Sequence, residues 1–245
     1  MAEALPAELR EAIAEDLETL VLLQDRELDA AMLGGLRELG FPHNLALLPV
    51  EDRAQQAFAL TRDAVQALPS QPGQDLLDRL AADYAAIYLN GSLGASPMES
   101  VWLSEEHTAC HEPMFELREL YAARGLAAAD WRRRPDDHLL LQLQFVTHWL
   151  READPDMAGL AAFLDRHLLR WLEDFAGRVA GRCDTALYAG LALLTFALVE
   201  RLRDILASAL GAPRPSREEI EAACRALRSV ESVTVGFVPG TGPGW

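Results

Sequence analysis

The chain contains no lysine, so all of its positive side-chain charge comes from arginine. There are 22 arginines against 38 acidic residues, which gives a formal net charge of −16. Nucleic-acid binding needs a positively charged surface, so this balance argues against nucleic acid as the main partner. It permits a cationic partner, which a negative field attracts. The missing lysine also excludes a phosphate-binding loop of the Gly-Lys type, although the stretch NGSLGAS contains two glycines.

Cysteines and long apolar runs are also scarce, and both observations indicate in which cellular compartment the protein is found. The three cysteines, Cys110, Cys183 and Cys224, lack CxxC spacing, and an odd, scattered set does not form a disulfide framework. The uncharged, mostly apolar run from Thr185 to Val199 is shorter than the roughly 20 residues of a membrane span. The N-terminal stretch MAEALPAELREAIAEDLETL is acidic and amphipathic, unlike a secretory signal. We therefore expect a cytoplasmic protein without membrane insertion.

Strand patterns are almost absent, and helical spacing of apolar residues covers most of the chain. Only 232–238 alternates apolar and small polar residues as a strand does. The predicted helices cover 7–23, 26–39, 51–68, 73–89, 103–124, 137–152, 157–181, 184–210 and 216–228. We predict an all-α fold, a single compact domain of about nine helices over 1–230, followed by a flexible C-terminal tail, 231–245.

The longest connection without a helical pattern is the stretch NGSLGASPMESVW, residues 90–102. Long loops without regular structure are uncommon inside compact helical domains and are often functional. Most aromatic side chains at helical spacing are expected in the core. Trp102 is the exception, because it ends this loop, where an amphipathic ring can lie half exposed.

The stretch RRRPDDH, which precedes a long apolar run, has two compatible interpretations. Pro135 restricts Arg134 to extended conformations, so a helix should begin just after it. Asp136 or Asp137 would then cap that helix by accepting a backbone N–H. An aspartate beside His138 is also a polar docking point for arginine, which binds carboxylates through paired, charge-assisted hydrogen bonds. One aspartate can cap while the other faces outward.

The stretch HTACHE raises the question of a metal site. His107 and His111 are four residues apart, so on a helix both rings share a face, with Cys110 and Glu112 close by. The sequence has neither an HExxH motif nor a distinct third ligand, so a solvated helix face is the simpler interpretation. A GxSxG nucleophile elbow is also absent.

The order of features along 75–210 resembles the TorD/DmsD/NarJ family of redox-enzyme maturation chaperones. YAAIYLNGSLGASPMESVWLSEE is followed by RPDDHLLLQLQFVTHWL, then FLDRHLLRWLEDFAGRV and TALYAGLALLTFALV. The positions that match family motifs are Ser96, Pro97, Glu99, Ser100, Val101, Pro135, Asp137, His138, His167 and Trp171. The chain departs from the family where a leading glutamate is replaced by Arg134, and where Gln142 and Gln144 stand at expected acidic positions, which makes the motif less acidic.

The resemblance implies a cytoplasmic binding protein that is not an enzyme and has a TorD-like all-α fold. We expect no cofactor and no metal. Its partner would be the catalytic subunit of a molybdenum or tungsten oxidoreductase, bound through the N-terminal leader and as apoenzyme. It would assist cofactor insertion and, for an exported client, twin-arginine proofreading. A monomer and a domain-swapped dimer are both possible.

The predicted binding residues divide by chemistry. Asp136, Asp137 and His138 form the polar end, and Pro135 sets the helix start. The other predicted residues are Tyr88, Pro97, Trp102 and Phe145 for apolar contact, Glu99 and Glu105 for negative charge, and Ser96 and Ser100 from the motif. Two alternatives remain: a metal-dependent helical hydrolase using His107, His111 and Glu112, and a helical adaptor for a folded partner.

Overall fold

The computed structural model describes residues 5–231, and its regular structure is helical. The helices are α1 (Ala7–Asp25), α2 (Ala30–Glu38), α3 (Asp52–Gln66), α4 (Gln74–Tyr84), α5 (Glu99–Leu103), α6 (Glu112–Ala122), α7 (Leu139–Leu150), α8 (Met157–Arg166), α9 (Leu172–Ala180), α10 (Ala186–Leu210) and α11 (Arg217–Glu231). Within 5–231 there is no β-strand, only an isolated antiparallel bridge between Met98 and His138. The predicted all-α fold is confirmed.

The chain divides into two compact units, Met1–Pro213 and Arg214–Trp245. The first unit contains α1 to α10, and the second contains α11. The predicted boundary at residue 230 stays a prediction. Nearly all of the predicted tail, and the strand-like stretch 232–238, lie outside the described residues. Among the described residues, no helix combines the length and the apolar character that a membrane span requires.

The core of the first unit is built around α10, which packs against α3, α8 and α9, while α1 packs against α7. Gly190 lets α3 and α10 approach closely, because a Cβ at this position would lie 2.7 Å from the Thr61 hydroxyl and 2.9 Å from its Cα. Arg203 of α10 forms a buried, two-pronged ion pair with Asp165 of α8, at 2.9 and 2.8 Å. These contacts hold α10 against its neighbours on two sides.

Polar side chains define where several helices begin. The Asp29 carboxylate accepts the Met32 N–H at the start of α2, and Asp156 does the same for Gly159 at the start of α8. The buried carboxylate of Asp83, near the end of α4, accepts the Thr185 N–H at 2.7 Å, which connects α4 to the first turn of α10. Side-chain acceptors therefore satisfy amide groups that a helix start leaves without internal partners.

Two predicted helices are each interrupted in the structure. The predicted helix 103–124 is wrong, because residues 104–111 are not helical and His107 and Cys110 take positive φ angles of 52° and 67°. Conversely, α5 starts inside the predicted loop 90–102. The predicted helix 157–181 is also wrong as one element. Helix α8 ends at Arg166, the following His167 takes φ and ψ of −113° and −85°, and a 3₁₀ turn precedes α9.

Candidate functional site

A cleft of about 730 Å³ opens beside the start of α7 and brings together five parts of the chain. Its walls come from the C-terminal end of α1, the end of α4 with the turn that follows it, Met98 before α5, the connection that precedes α7, and α7 itself. The lining residues are Gln24, Asp25, Tyr84, Tyr88, Leu89, Met98, Ala127, Ala128, Ala129, Asp130, Arg133, Arg134, Pro135, His138, Leu140, Leu141 and Gln144. Clefts of 300–1,000 Å³ with aromatic walls and a few placed polar groups are typical ligand sites.

One wall of the cleft carries two tyrosines held by hydrogen bonds. The Tyr84 hydroxyl donates to the Asp25 carbonyl at 2.8 Å, and the Tyr88 hydroxyl donates to the Gln24 side-chain oxygen at 2.7 Å. Burial raises the pKa of both phenols, so both hydroxyls stay protonated donors. Residues 85–89 continue α4 as one turn of π-helix, a feature that is frequent at functional sites.

The charged groups of the cleft balance one another. Asp25 and Asp130 supply two carboxylates, and Arg133 and Arg134 supply two guanidinium groups. Arg134 Nη1 lies 2.6 Å from Asp25 Oδ1, in an ion pair that joins the connection before α7 to α1. The overall negative charge of the chain is therefore not concentrated in the side chains that line this cleft.

The start of α7 differs from the sequence-based interpretation. The N-cap is His138, whose Nδ1 accepts the Leu140 N–H at 3.1 Å, so the predicted capping by Asp136 or Asp137 is wrong. Burial and the nearby Arg134 charge lower the His138 pKa to about 3, which keeps its ring neutral and able to accept. His138 reaches the cleft, but its main local role is to cap α7.

Both aspartates of this motif are buried, so the expectation that one of them faces outward is also wrong. Asp137 is fully buried, and its Oδ2 accepts the Ser100 N–H at 2.8 Å at the start of α5. Burial raises the Asp137 pKa, while the hydrogen bonds from Ser100 oppose that rise. Asp136 Oδ2 pairs with Arg118 of α6 at 2.8 Å. Both carboxylates thus hold other elements against the start of α7.

A buried polar cluster lies next to this motif. Glu99 is 1% exposed, its Oε1 lies 3.0 Å from His167 Nδ1, and its Oε2 accepts from the Gln142 amide at 2.9 Å. The same amide of Gln142 also donates to the Asp137 carbonyl at 3.0 Å. Gln142 stands where the family that the chain resembles has an acidic residue. Its uncharged amide connects Glu99 to the backbone of Asp137.

Trp102 lies at a different place from the cleft lining. Its indole N–H donates to the Ser96 carbonyl at 2.8 Å, the Arg178 guanidinium lies 4.4 Å from its ring centre, and its ring stacks near Trp171 at 6.4 Å. Trp102 is partly exposed, which confirms the expectation that its ring lies half exposed at the end of the loop. The arginine covers one face of the ring through a cation–π contact.

The predicted binding residues therefore fall into three groups. Tyr88, Pro135 and His138 line the cleft. The buried ones, which do not line the cleft, are Pro97, Glu99, Ser100, Asp136, Asp137 and Phe145. Ser96, Trp102 and Glu105 are partly or fully exposed but do not line the cleft. As a binding set, these residues stay a prediction.

Sequence reasoning missed the cleft residues of α1, Gln24 and Asp25, and the stretch 127–134. Nothing in the amphipathic pattern of α1 singles out Asp25. The basic triplet 132–134 beside Pro135 was the available signal for the second group, because two of its arginines line the cleft.

The candidate metal residues are not assembled into a site. His107 Nδ1 lies 3.0 Å from the Val101 carbonyl, and His111 Nε2 lies 2.6 Å from the Thr108 hydroxyl. Both histidines precede α6, so they do not share a helical face as the metal interpretation required. Over residues 5–231, no group of three or more His, Cys, Asp or Glu side chains is arranged to hold a metal ion.

Comparison with known proteins gives a consistent result. A family model described as nitrate reductase delta subunit matches residues 51–177, just over half of the 245 residues. "Chaperone protein TorD" of Psychrobacter sp. (strain PRwf-1) is 29% identical over 157 residues, 60% of this chain and 71% of the relative. "Chaperone protein TorD" of Vibrio cholerae serotype O1 (strain M66-2) is 29% identical over 141 residues, 54% of this chain and 64% of the relative. "Chaperone protein YcdY" of Escherichia coli (strain K12) is 25% identical over 132 residues, 53% of this chain and 66% of the relative.

Proposed function

Because the chain belongs to the nitrate reductase delta subunit family, which includes the TorD-like proteins, we propose that it is a maturation chaperone and not an enzyme. Its client is the catalytic subunit of a molybdenum or tungsten oxidoreductase. It binds the client's N-terminal leader and its apo form in the cytoplasm and assists cofactor insertion. For an exported client it also delays twin-arginine export until insertion is complete.

The observation that carries this proposal is the cleft beside α7. Its volume of about 730 Å³ can take part of a peptide, and Leu89 and Leu141 give it apolar surface beside the two tyrosines. A leader consists of an arginine-rich segment followed by an apolar segment, so it needs both apolar contact and a carboxylate. Asp25 and Asp130 offer the carboxylates. A flexible leader loses entropy when it orders, so we expect affinity on the order of micromolar.

The first experiment is a tagged pull-down from the native cytoplasm, with mass spectrometry of the retained proteins. Recovery of a molybdoenzyme catalytic subunit without its cofactor is the expected result. A cleft-blocking variant, Ala128→Arg, should lose that client, because Ala128 is a small, partly buried residue of the cleft wall.

A matched control uses the same substitution elsewhere. Ala162→Arg introduces the same side chain at an exposed position of α8 that does not line the cleft. It should retain the client as well as the unsubstituted protein does. If both variants lose it equally, or if no oxidoreductase is recovered where one is expressed, the cleft-based proposal is wrong.

A further inference from the structure

The ion pair between Arg134 and Asp25 occupies a carboxylate that a bound ligand could use. The two side chains are 33% and 42% exposed, and both line the cleft. Ion pairs in contact with water contribute little, about two- to fivefold in an equilibrium constant, because the solvated charges are almost as stable apart. This contact can therefore be exchanged for another cation at small cost.

Asp25 differs from the other carboxylate of the cleft. Asp130 is part of its own turn, where its Oδ1 accepts the Arg132 N–H at 3.2 Å and its carbonyl accepts the Arg134 N–H at 3.0 Å. Asp25 is the last residue of α1, where the negative end of the helix dipole disfavours a carboxylate. A positive partner is therefore needed at Asp25, and the free chain supplies Arg134.

The backbone around Arg134 does not depend on the ion pair. The carbonyl of Asp130 accepts the N–H groups of Arg133 and Arg134, and Pro135 restricts the preceding Arg134 to extended conformations. The Arg134 side chain can thus leave Asp25 while the turn remains in place. When the Arg134 side chain leaves, the charged side chains that remain in the cleft are Asp25, Asp130 and Arg133. Their net charge is negative, which favours the entry of a ligand guanidinium.

We infer that Asp25 is the residue that binds a ligand guanidinium in the cleft, and that Arg134 is an intramolecular competitor for it. The ligand class is a peptide with an arginine beside an apolar segment. This inference rests on the proposed function and deepens it. The contact between Asp25 and the ligand guanidinium selects the ligand, and the ion pair between Asp25 and Arg134 limits its affinity. A ligand without a cationic group has nothing to replace Arg134 at Asp25, so it leaves this ion pair in place.

The test is a fluorescence-anisotropy titration of the full chain with a labelled synthetic peptide. The peptide has roughly 20 residues, with two adjacent arginines before an apolar segment. Arg134→Gln should tighten binding about two- to fivefold by removing the competitor. Asp25→Asn should weaken it about tenfold by removing a charge-assisted hydrogen bond. In the double variant the gain from Arg134→Gln should vanish, because the two residues act through the same contact.

Arg133→Gln is the matched control, since Arg133 lines the same cleft and the substitution changes the charge equally. A gain equal to that of Arg134→Gln would mean that only the net charge matters, and the competition would be disproved. A peptide with glutamines for its arginines should respond to neither substitution. Circular dichroism melting of each variant checks that the helices persist.

The outcomes separate the two proposals. If the peptide binds the unsubstituted chain but Arg134→Gln weakens binding, the ion pair stabilises the cleft and does not compete with the ligand. Only the present inference then fails. If no variant, including Arg134→Gln, binds the peptide, leader binding in this cleft fails and the inference fails with it.

Discussion

Glu99 and His167 face each other inside the protein, with 3.0 Å between Oε1 and Nδ1 and only 1% of each side chain exposed. Glu99 is the first residue of α5, and His167 directly follows α8, so their contact joins two segments 68 residues apart. Gln142 of α7 donates to the other carboxylate oxygen of Glu99. One carboxylate therefore connects α5, α7 and the C-terminal end of α8.

Replacing Glu99 should lower the free energy of unfolding, because the side chain is buried and contributes almost nothing to the protein surface. Glu99→Ala removes the buried partner of His167 Nδ1 and one of the two acceptors of the Gln142 amide, and such losses cost about 3 kcal/mol. Glu99→Gln keeps one oxygen and should cost less. Urea unfolding followed by circular dichroism measures both.

Glu105→Ala is the control for this prediction, because it removes the same side chain from an exposed position six residues later. Its unfolding midpoint should match that of the unsubstituted protein. If the Glu99 and Glu105 variants unfold at the same urea concentration, the buried cluster does not stabilise the fold.

His138 should make stability depend on pH below its ordinary pKa of 6.5. Its pKa in the folded chain is lowered to about 3, so below pH 6.5 the unfolded chain takes up a proton that the folded chain refuses. Stability from this group is thus complete above pH 6.5 and falls as pH drops towards about 3. The largest slope is about 1.4 kcal/mol per pH unit.

His138→Asn separates this effect from other titrating groups. Asparagine can still accept the Leu140 N–H, since it is a favoured N-cap residue, but it does not titrate. The stability difference between the two proteins, measured in urea at pH 7 and pH 5, should shift in favour of the variant at the lower pH. An unchanged difference would show that His138 is not held neutral.

Local pattern was enough to predict the helical class and most helix positions. It was not enough for the breaks at residues 104–111 and at His167, for a physical reason. The ring of His167 meets Glu99, a partner far away in sequence, and periodicity carries no trace of such contacts. The apolar spacing continues through the break, so 157–181 reads as one helix.

The candidate site shows the same division. The motif around Asp137 could be found because its residues are adjacent and chemically distinctive. Its orientation could not, because capping by His138 and acceptance from Ser100 by Asp137 depend on how α5 meets α7. Asp25 could not be assigned either, since its partner Arg134 becomes a neighbour only after α1 packs beside α7.

Asp137 should have the opposite pH effect to His138. Burial raises its pKa above 3.8 in the folded chain. The folded state therefore holds its proton more tightly than the unfolded state, and the stability from Asp137 is complete below pH 3.8 and lost as pH rises through the raised pKa. Asp137→Asn can still accept the Ser100 N–H through its amide oxygen and has no such loss.

The measurement is again a difference between two proteins, here from pH 3.5 to pH 7. The unsubstituted chain should lose stability relative to Asp137→Asn as pH rises. A relative gain would mean that the Ser100 hydrogen bonds outweigh burial. Asp137→Ala, which removes the acceptor altogether, should be less stable than either at every pH, by about 1–3 kcal/mol.

Salt should weaken the binding of an arginine-containing leader peptide mainly by slowing association. The net charge of −16 attracts a cationic peptide from a distance, whereas the side chains that line the cleft are balanced between two aspartates and two arginines. Long-range attraction raises the association rate and is screened, since the Debye length falls from about 10 Å at 0.1 M salt to about 3 Å at 1 M. Stopped-flow fluorescence at both salt concentrations should therefore show a lower association rate constant and a nearly constant dissociation rate constant. The peptide with glutamines for arginines should show no change in either. A salt effect confined to dissociation would show that the net charge does not draw the peptide in from a distance and that the attraction acts only once the peptide is bound.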